Sequence, residues 1–205
     1  MNFYTAQLIQ HIAVWFVVAA LLTPILKVRT WTFSNRLLFL LLCLVIPFIP
    51  INGVSISGYV LGVYDALSIS SLVLLALRSA ENLTLEKYFS KDERGVTYLM
   101  LAAGGLVLYP TSLGLVEFNA YRASFASPIF IGSLLAVALL FAWRGLRLPV
   151  IVLVAAVLAS QLRVLESLNL WDYLLDPILF FVSLFLATKY LVKKVVELFR
   201  RSPIA

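Results

Sequence analysis

The residues of this chain that could carry out chemistry are a few carboxylates and two arginines, most of them in or near the polar segment 166–177. This segment separates two long apolar runs and holds three acidic residues, Glu166, Asp172 and Asp176. If the two guanidinium groups converged, they could hold a phosphate group through paired hydrogen bonds, with a carboxylate serving as acid, base or metal ligand. The candidate site consists of Asp65, Glu117, Arg122, Arg163, Glu166, Asp172 and Asp176.

Asp172 and Asp176 lie four residues apart, and Pro177 follows the second directly. On a continuous helix both carboxylates would occupy one face, where they could bind a metal ion or share a proton. A carboxylate that precedes a helix is also stabilised by the free amides and the dipole at the helix N-terminus. We favour helix capping, and we expect the neighbouring Trp171 and Tyr173 in the aromatic belt of a membrane interface.

Arg163 and Glu166 are three residues apart, which makes them near neighbours on a helix, and we expect them to form an ion pair. The other arginine of the candidate site, Arg122, follows Glu117, so each arginine has a carboxylate close in sequence. The spacing does not establish whether the two arginines meet in space.

Asp65 lies inside an apolar run, where an ionisable group is costly unless it faces other helices or water. Gly62 and Ser68 would share its helical face, so a neighbouring helix could approach closely and form a hydrogen bond across the contact. Two interpretations stay open for Asp65, a functional carboxylate and a structural bond between helices.

The chain contains one histidine, His11, and one cysteine, Cys43. As a general base His11 would need a carboxylate within hydrogen-bond reach, and we expect a solvated side chain instead. A single cysteine excludes an intrachain disulfide and a zinc site built on cysteines. The sequence has no nucleophile elbow, phosphate-binding glycine loop or metal-protease helix, so no cofactor-binding or metal-binding residue is predicted and any cofactor is unknown.

The composition indicates how these residues must be positioned. Hydrophobic residues make up 62% of the chain and charged residues 13%, and the mean hydropathy is +1.01. These values are typical of an integral membrane protein. Apolar runs long enough to span a bilayer predict an all-α bundle of seven transmembrane spans in one domain, 1–205. The runs are 8–26, 36–51, 59–77, 95–116, 127–143, 148–165 and 174–192, with kinks or breaks expected at Pro47, Pro50 and Pro110.

The distribution of basic residues predicts the orientation. Alternate connecting segments hold 14 of the 16 Lys and Arg residues, and the opposite side holds Arg122 and Arg163. Basic loops stay in the cytoplasm, so we expect the amino terminus outside and the carboxyl terminus inside. No Lys or Arg precedes the first apolar run, which therefore does not resemble a cleaved signal peptide. The cytoplasmic segments are then 27–36, 78–94, 144–148 and 193–205.

From this topology we expect a multi-pass protein of a bacterial-type inner membrane. The favoured role is a non-catalytic accessory or binding partner in envelope or lipid metabolism, with the candidate residues around one outer cavity and Asp65 beneath it. The alternatives are an intramembrane enzyme acting on a lipid-linked phosphate at the outer leaflet, and a small transporter with Asp65 as its coupling carboxylate. The expected partners are membrane lipids and another envelope membrane protein; nucleic acid is not expected, because the net charge of +6 comes from residues that flank apolar runs.

Overall fold

The fold confirms the all-α class. A computed structural model describes residues 3–63, 66–125 and 127–201, with side chains from residue 8 to residue 200. Within these ranges the elements are α1 (Phe3–Ile25), α2 (Phe33–Val45), β1 (Pro50–Ile51), β2 (Val54–Ser55), α3 (Ile56–Val63), α4 (Ile69–Thr84), α5 (Lys91–Ser112), α6 (Ala120–Ala123), α7 (Pro128–Trp143), α8 (Arg147–Gln161), α9 (Leu170–Leu174) and α10 (Pro177–Arg201). Two 3₁₀ turns, Val28–Thr30 and Ile46–Phe48, flank α2.

Polar caps set the beginnings of several helices. At α5 the Ser90 hydroxyl accepts from the Glu93 amide at 3.1 Å, and the Glu93 carboxylate accepts from the Ser90 amide at 2.9 Å. This reciprocal capping box satisfies amides that the helix itself leaves unpaired. At α7 the Ser127 hydroxyl caps the helix and Pro128 occupies its first position, where a missing amide hydrogen has no cost.

The third apolar run does not form one helix. α3 ends at Val63, and α4 begins at Ile69 after Ser68, whose backbone is extended and whose hydroxyl accepts from the Ser71 amide at 3.2 Å. Serine side chains compete with helical hydrogen bonds and favour such caps. The break follows from this local chemistry, which hydropathy alone does not register.

The prolines of the second and fourth runs have different effects. After α2 the chain makes a 3₁₀ turn containing Pro47 and then a short hairpin whose Asn52-Gly53 turn has φ values of 49° and 82°. These positive φ values are those that a two-residue hairpin turn requires. Pro110 instead lies inside α5, which continues to Ser112. The second run therefore contains the predicted break. In the fourth run, α5 continues through Pro110 without a break.

α5 and α10 pack closely because two glycines face aromatic rings. A Cβ atom at position 95 would collide with the ring of Tyr190, and one at position 105 would collide with the ring of Phe180. The pairing of 95 with 190 and of 105 with 180 shows that the two helices are antiparallel. Small residues allow this close approach of helix backbones.

The main core surrounds α8, whose Val152 and Ala156 are fully buried with Tyr173 of α9. A second, smaller cluster joins α1 and α2 through Ala19, Val28, Phe39 and Cys43. Trp15 of α1 also donates its indole N–H to the Leu40 carbonyl of α2 at 2.9 Å. The two clusters account for the packing of the amino-terminal and carboxyl-terminal parts of the chain.

Contacts between loops define two ends of the bundle. At the first, which we call the acidic end, residues 66–71, 113–125 and 162–176 are joined by hydrogen bonds. At the second, which we call the basic end, residues 78–94, 144–147 and 189–200 are joined by ion pairs. α1 starts at the acidic end, where Gln10 accepts from the Leu67 amide at 3.1 Å. The segment 26–36 that follows α1 therefore belongs to the basic end.

In the described part of the chain, one helix is both long and apolar enough to cross a membrane by length and composition. It covers Leu8–Ile25, 18 residues with a mean hydropathy of 2.0, of which 28% are buried. Three further apolar helical segments are shorter, Phe33–Phe48, Pro128–Trp143 and Arg147–Gln161. The helices lie at the positions of the seven predicted runs, with the third divided.

Candidate polar site at the acidic end

Asn169 holds the acidic end together, and its side chain is completely buried. Its Nδ2 donates to the Tyr121 carbonyl at 2.7 Å, and its Oδ1 accepts from the Ser124 hydroxyl at 2.7 Å and from the Trp171 amide at 3.0 Å. Asn169 therefore caps α9 and binds the loop that contains α6. A buried amide with every group bonded fixes these two segments relative to each other.

The two aromatic residues of the segment 166–177 point into the protein. Trp171 is buried against Phe130, with ring centroids 4.9 Å apart, and donates its indole N–H to the Ala120 carbonyl at 3.2 Å. The Tyr173 hydroxyl lies 3.0 Å from the Leu165 carbonyl and 2.9 Å from the Ser167 carbonyl. Burial raises the pKa of Tyr173, so it is a neutral donor at physiological pH. The predicted place of Trp171 and Tyr173 in an interfacial belt is wrong, because buried partners satisfy their polar atoms.

Asp172 accepts hydrogen bonds from two hydroxyl groups. The Tyr121 hydroxyl donates to it at 2.8 Å, and the Ser167 hydroxyl donates to the same carboxylate oxygen. Burial and the bond to Asp172 raise the pKa of Tyr121, which keeps the phenol in its donating form. Asp172 thus joins the loop before α9 to the loop after α5.

Asp176 lies where two helices begin, and it is 4% exposed. Its Oδ2 accepts from the Ser68 amide at 3.1 Å, from the Ser68 hydroxyl at 2.7 Å and from the Ser71 hydroxyl. Its Oδ1 accepts from the Leu179 amide at 2.9 Å, which caps α10. The N-termini of α4 and α10 both place positive dipole ends at this carboxylate. The predicted capping is confirmed for Asp176. It is wrong for Asp172, which lies within α9 and accepts from two side-chain hydroxyl groups instead of helix amides.

Asp172 and Asp176 do not share a helical face. α9 ends at Leu174, and Leu175 has an extended backbone with φ of −149° and ψ of 132°. The four-residue spacing therefore spans a break between helices, and the two carboxylates have different partners. Across the residues that the structure describes, no group of three or more His, Cys, Asp or Glu side chains is arranged to hold a metal ion.

The predicted ion pair between Arg163 and Glu166 is wrong. α8 ends at Gln161, and Arg163 has φ of 51°, so the helical spacing that would bring the two side chains together does not apply. Both side chains are exposed, and no ion pair between them occurs in the described residues. A left-handed residue directly after a helix turns the chain away from the helix axis.

The remaining candidates are distributed over the surface. Glu117 and Arg122 are exposed, and the Arg122 amide donates to the Asn119 side chain at 2.9 Å to begin α6. Asp65 lies outside the described residues. The structure therefore brings Asp172 and Asp176 into bonded positions and leaves four candidates exposed: Glu117, Arg122, Arg163 and Glu166. A shared cavity bordered by all of them stays a prediction.

Sequence reasoning missed the neutral side chains that hold the acidic carboxylates. Ser68, Ser71, Ser167 and Asn169 each form hydrogen bonds that connect segments of the acidic end. A hydroxyl or amide side chain within an otherwise apolar stretch would have indicated them, because such a group is buried only where it has a hydrogen-bond partner. Ser68 and Ser71, the partners of Asp176 at the beginning of α4, are more than 100 residues away in sequence, with separations of 108 and 105.

In the sequence, the basic segments contribute only their charge, which predicts orientation, yet the basic end holds the ion pairs of the described residues. Glu81 is buried and pairs with Arg94. Glu93 lies 3.6 Å from the Arg147 side chain and accepts from the Arg147 amide at 3.0 Å. Burial acts to raise the pKa of Glu93, but hydrogen bonds from Ser90 and Arg147 outweigh it and hold the pKa below its usual value.

An open groove lies along α10, with a volume of about 510 Å³. Its lining includes Phe181, Leu184 and Phe185, and Lys189 and Lys193 lie towards the basic end. Lys189 also lies over the ring of Phe185. The groove is apolar along most of its length and positively charged at one end.

Comparisons with known proteins give no family. No family model, no curated protein and no solved structure matches this chain. The geometry and the charge distribution are therefore the basis of the functional proposal.

Proposed function

We propose that this chain is a multi-pass protein of a bacterial-type inner membrane, with seven spans, an external amino terminus and a cytoplasmic carboxyl terminus. In this proposal α1, α2, α5, α7, α8 and α10 each form a span, and α4, preceded by the short α3, forms the third in sequence. The acidic end then faces the outside and the basic end faces the cytoplasm.

The observation that carries the proposal is the exposed apolar surface of α7. Between Pro128 and Trp143 this helix has no charged residue, and Ile129, Leu139 and Trp143 are exposed. A soluble monomer rarely exposes an apolar patch larger than a few hundred Å², so hydrocarbon is its natural surrounding. With 16 residues α7 is about 24 Å long, and local thinning of the bilayer accommodates the difference from about 30 Å at modest cost.

The charges at the two ends support the orientation. The basic end, with the segment 26–36, holds 13 of the 16 Lys and Arg residues, as expected for segments that remain in the cytoplasm. Exposed arginines at the acidic end are Arg122 and Arg163. This difference favours an external acidic end.

Within this topology we propose an accessory or binding role in envelope or lipid metabolism without catalysis. The buried carboxylate of Asp176 accepts four hydrogen bonds from α4 and α10, which supports a structural role over that of a general base. Asp172 is likewise engaged by Tyr121 and Ser167. The exposed side chains of Glu117, Arg122, Arg163 and Glu166 remain available to a membrane-protein partner.

Site-specific photo-crosslinking in living cells tests the accessory role. We expect a photo-crosslinking residue at position 122 or 166 to give a discrete adduct with one membrane protein. The matched position is Arg144, which is exposed at the basic end and should not give that adduct. Absence of any adduct from the acidic end, or the same adduct from position 144, would contradict the proposal.

A small transporter is a second candidate because the helical structure of the third apolar run is interrupted: α3 ends at Val63, and Ser68 before α4 has an extended backbone. Discontinuous helices with free N-termini form substrate or ion sites in transporters, and Asp65 lies in this stretch of sequence. Electrogenic or proton-coupled flux in proteoliposomes that is abolished by Asp65→Asn would favour transport. Equal flux in vesicles with and without the protein would favour the accessory role.

A further inference from the structure

The basic end contains a buried arginine whose charge has no partner among the described residues. Arg36 is 7% exposed, and its Nε and Nη1 atoms are buried without a hydrogen bond. None of the ion pairs in the described chain includes it. Arg94 and Arg147, by contrast, each pair with a carboxylate. A buried cation without a counter-charge costs several kcal/mol, so its retention needs a reason.

The position of Arg36 directs it into the bundle. It lies in the first turn of α2, where its amide donates to the Thr32 carbonyl at 3.0 Å. Phe39 and Cys43 follow three and seven residues later on the same helical face, and both are buried. The guanidinium group therefore lies at the basic end of the packed face of α2, beneath the smaller hydrophobic cluster.

Two other unsatisfied groups belong to the same end. Ser79 and Asn82 lie three residues apart near the end of α4, and the Ser79 hydroxyl and Asn82 Oδ1 are buried without partners in the described residues. α4 packs against both α2 and the turn Val28–Thr30. A hydroxyl can donate to an anion, and the asparagine amide can present its NH₂ group after rotation. The basic end thus holds unpartnered polar groups on α4 and an unneutralised charge on α2, the helix against which α4 packs.

We propose that Arg36 binds a phosphate group, together with Ser79 and Asn82 of the helix that packs against α2. Water could satisfy the hydrogen bonds but would not balance the charge. The planar guanidinium group matches two oxygens of phosphate. Lys27 and Arg29 are exposed on the adjoining turn and raise the local positive potential, which favours a multiply charged anion over a single carboxylate.

The phosphate has two possible sources, a phospholipid headgroup and free phosphate. The inference goes beyond the proposed function, and its test does not depend on the direction in which the chain crosses a membrane. Failure of the phosphate test would leave the topology proposal intact, and an inverted topology would leave the phosphate test intact.

Thermal unfolding of the full chain in detergent tests the binding. We expect potassium phosphate to raise the unfolding temperature in a saturable way, relative to potassium chloride at matched ionic strength. Arg36→Met should abolish this rise, and Arg36→Lys should increase the phosphate concentration for half the effect by about tenfold, because the paired hydrogen bonds are lost. Arg29→Gln, a change to an exposed arginine of the adjoining turn, should leave the midpoint within about twofold.

The unfolding temperature without phosphate shows whether the Arg36→Met protein still folds, so loss of binding can be distinguished from loss of folding. Because Arg36→Met removes an unpaired buried charge, its unfolding temperature without phosphate should equal or exceed that of the wild type. A lower value would mean that Arg36 already has its partner in the fold, which overturns the proposal.

A lipid arm separates the two sources. Unfolding is measured in vesicles of phosphatidylcholine with and without phosphatidylglycerol. Stabilisation by phosphatidylglycerol that is lost in Arg36→Met but kept in Arg29→Gln identifies the lipid headgroup, and an effect of inorganic phosphate alone identifies the free ion. No Arg36-dependent stabilisation in either arm overturns the proposal.

Discussion

The acidic and basic ends hold their carboxylates by different means. At the acidic end Asp172 and Asp176 accept hydrogen bonds from hydroxyl and amide groups. At the basic end Glu81 and Glu93 combine hydrogen bonds with arginine partners. The number of basic residues does not explain all of this difference. Arg36 has no partner among the described residues, while Arg94 and Arg147 of the same end are paired.

This difference indicates which end is fixed by the fold and which responds to its surroundings. Hydrogen bonds to a buried carboxylate depend on the packing of α4 and α10, whereas partly exposed ion pairs are weakened by salt and by protonation. The acidic end should therefore be the more sensitive to mutation, and the basic end the more sensitive to solution conditions.

The largest effect is expected at Asp176. Asp176→Ala leaves the Ser68 amide, the hydroxyls of Ser68 and Ser71, and the Leu179 amide without their acceptor. We expect a loss of about 3–5 kcal/mol in the free energy of unfolding, and a smaller loss for Asp176→Asn, which retains one acceptor oxygen. Unfolding in detergent measures both. Exposed Glu166→Ala is the control, with a change within about 0.5 kcal/mol; equal losses would contradict the comparison.

Two asparagine caps at the acidic end give the next effect. Asn169 is buried with bonds to Tyr121, Ser124 and Trp171, whereas Asn119 is exposed and caps α6 alone. Asn169→Ala should cost about 2–3 kcal/mol and Asn119→Ala about 0.5–1 kcal/mol. The same unfolding assay compares them, and a reversed order would show that the bonds of Asn169 do not hold the two loops together.

At the basic end Glu93→Gln should cost about 1–2 kcal/mol near neutral pH, because it weakens the capping box and the contact with Arg147. The pKa of Glu93 is lowered in the folded protein, so its contribution is present above the unfolded value of about 4.5 and is lost as the pH falls through the folded value. Unfolding curves of the two proteins should converge in acid. Glu86→Gln, at an exposed position, should show no such pH dependence; a difference that persists in acid would contradict the pKa assignment.

The smallest effect concerns Arg163 and Glu166. Because their side chains form no ion pair, the changes Arg163→Ala and Glu166→Gln should be additive in the double mutant, with a coupling below about 0.3 kcal/mol. The double-mutant cycle uses the same unfolding assay. A coupling above about 1 kcal/mol would restore the ion pair that the sequence spacing suggests.

Local signals in the sequence predicted much of the fold. The apolar runs located the helices, and the Asp176-Pro177 pair identified the cap of α10, because both depend on neighbouring residues. The break before Ile69 was missed, since Ser68 and Ser71 lie in a stretch whose average hydropathy is high. The end of α8 was also missed, because Arg163 adopts its left-handed backbone without the glycine that usually marks such a position.

Contacts between distant segments could not be predicted from one sequence. Ser68 meets Asp176 across 108 residues, and Tyr121 meets Asp172 across 51. Residue type alone also misplaced Trp171 and Tyr173, since an aromatic ring with a polar atom suits both an interface and a core that supplies a hydrogen-bond partner. The unpaired charge of Arg36 becomes visible only when its burial is known.

Cysteine accessibility in intact cells tests the central claim most directly, namely that the two ends face opposite sides of a membrane. In a Cys43→Ser background, single cysteines replace Leu115 at the acidic end and Glu86 at the basic end, both of which are exposed. An impermeant maleimide should label position 115 in intact cells and position 86 only after permeabilisation. Labelling of position 86 in intact cells, or equal labelling of both positions, would contradict the account.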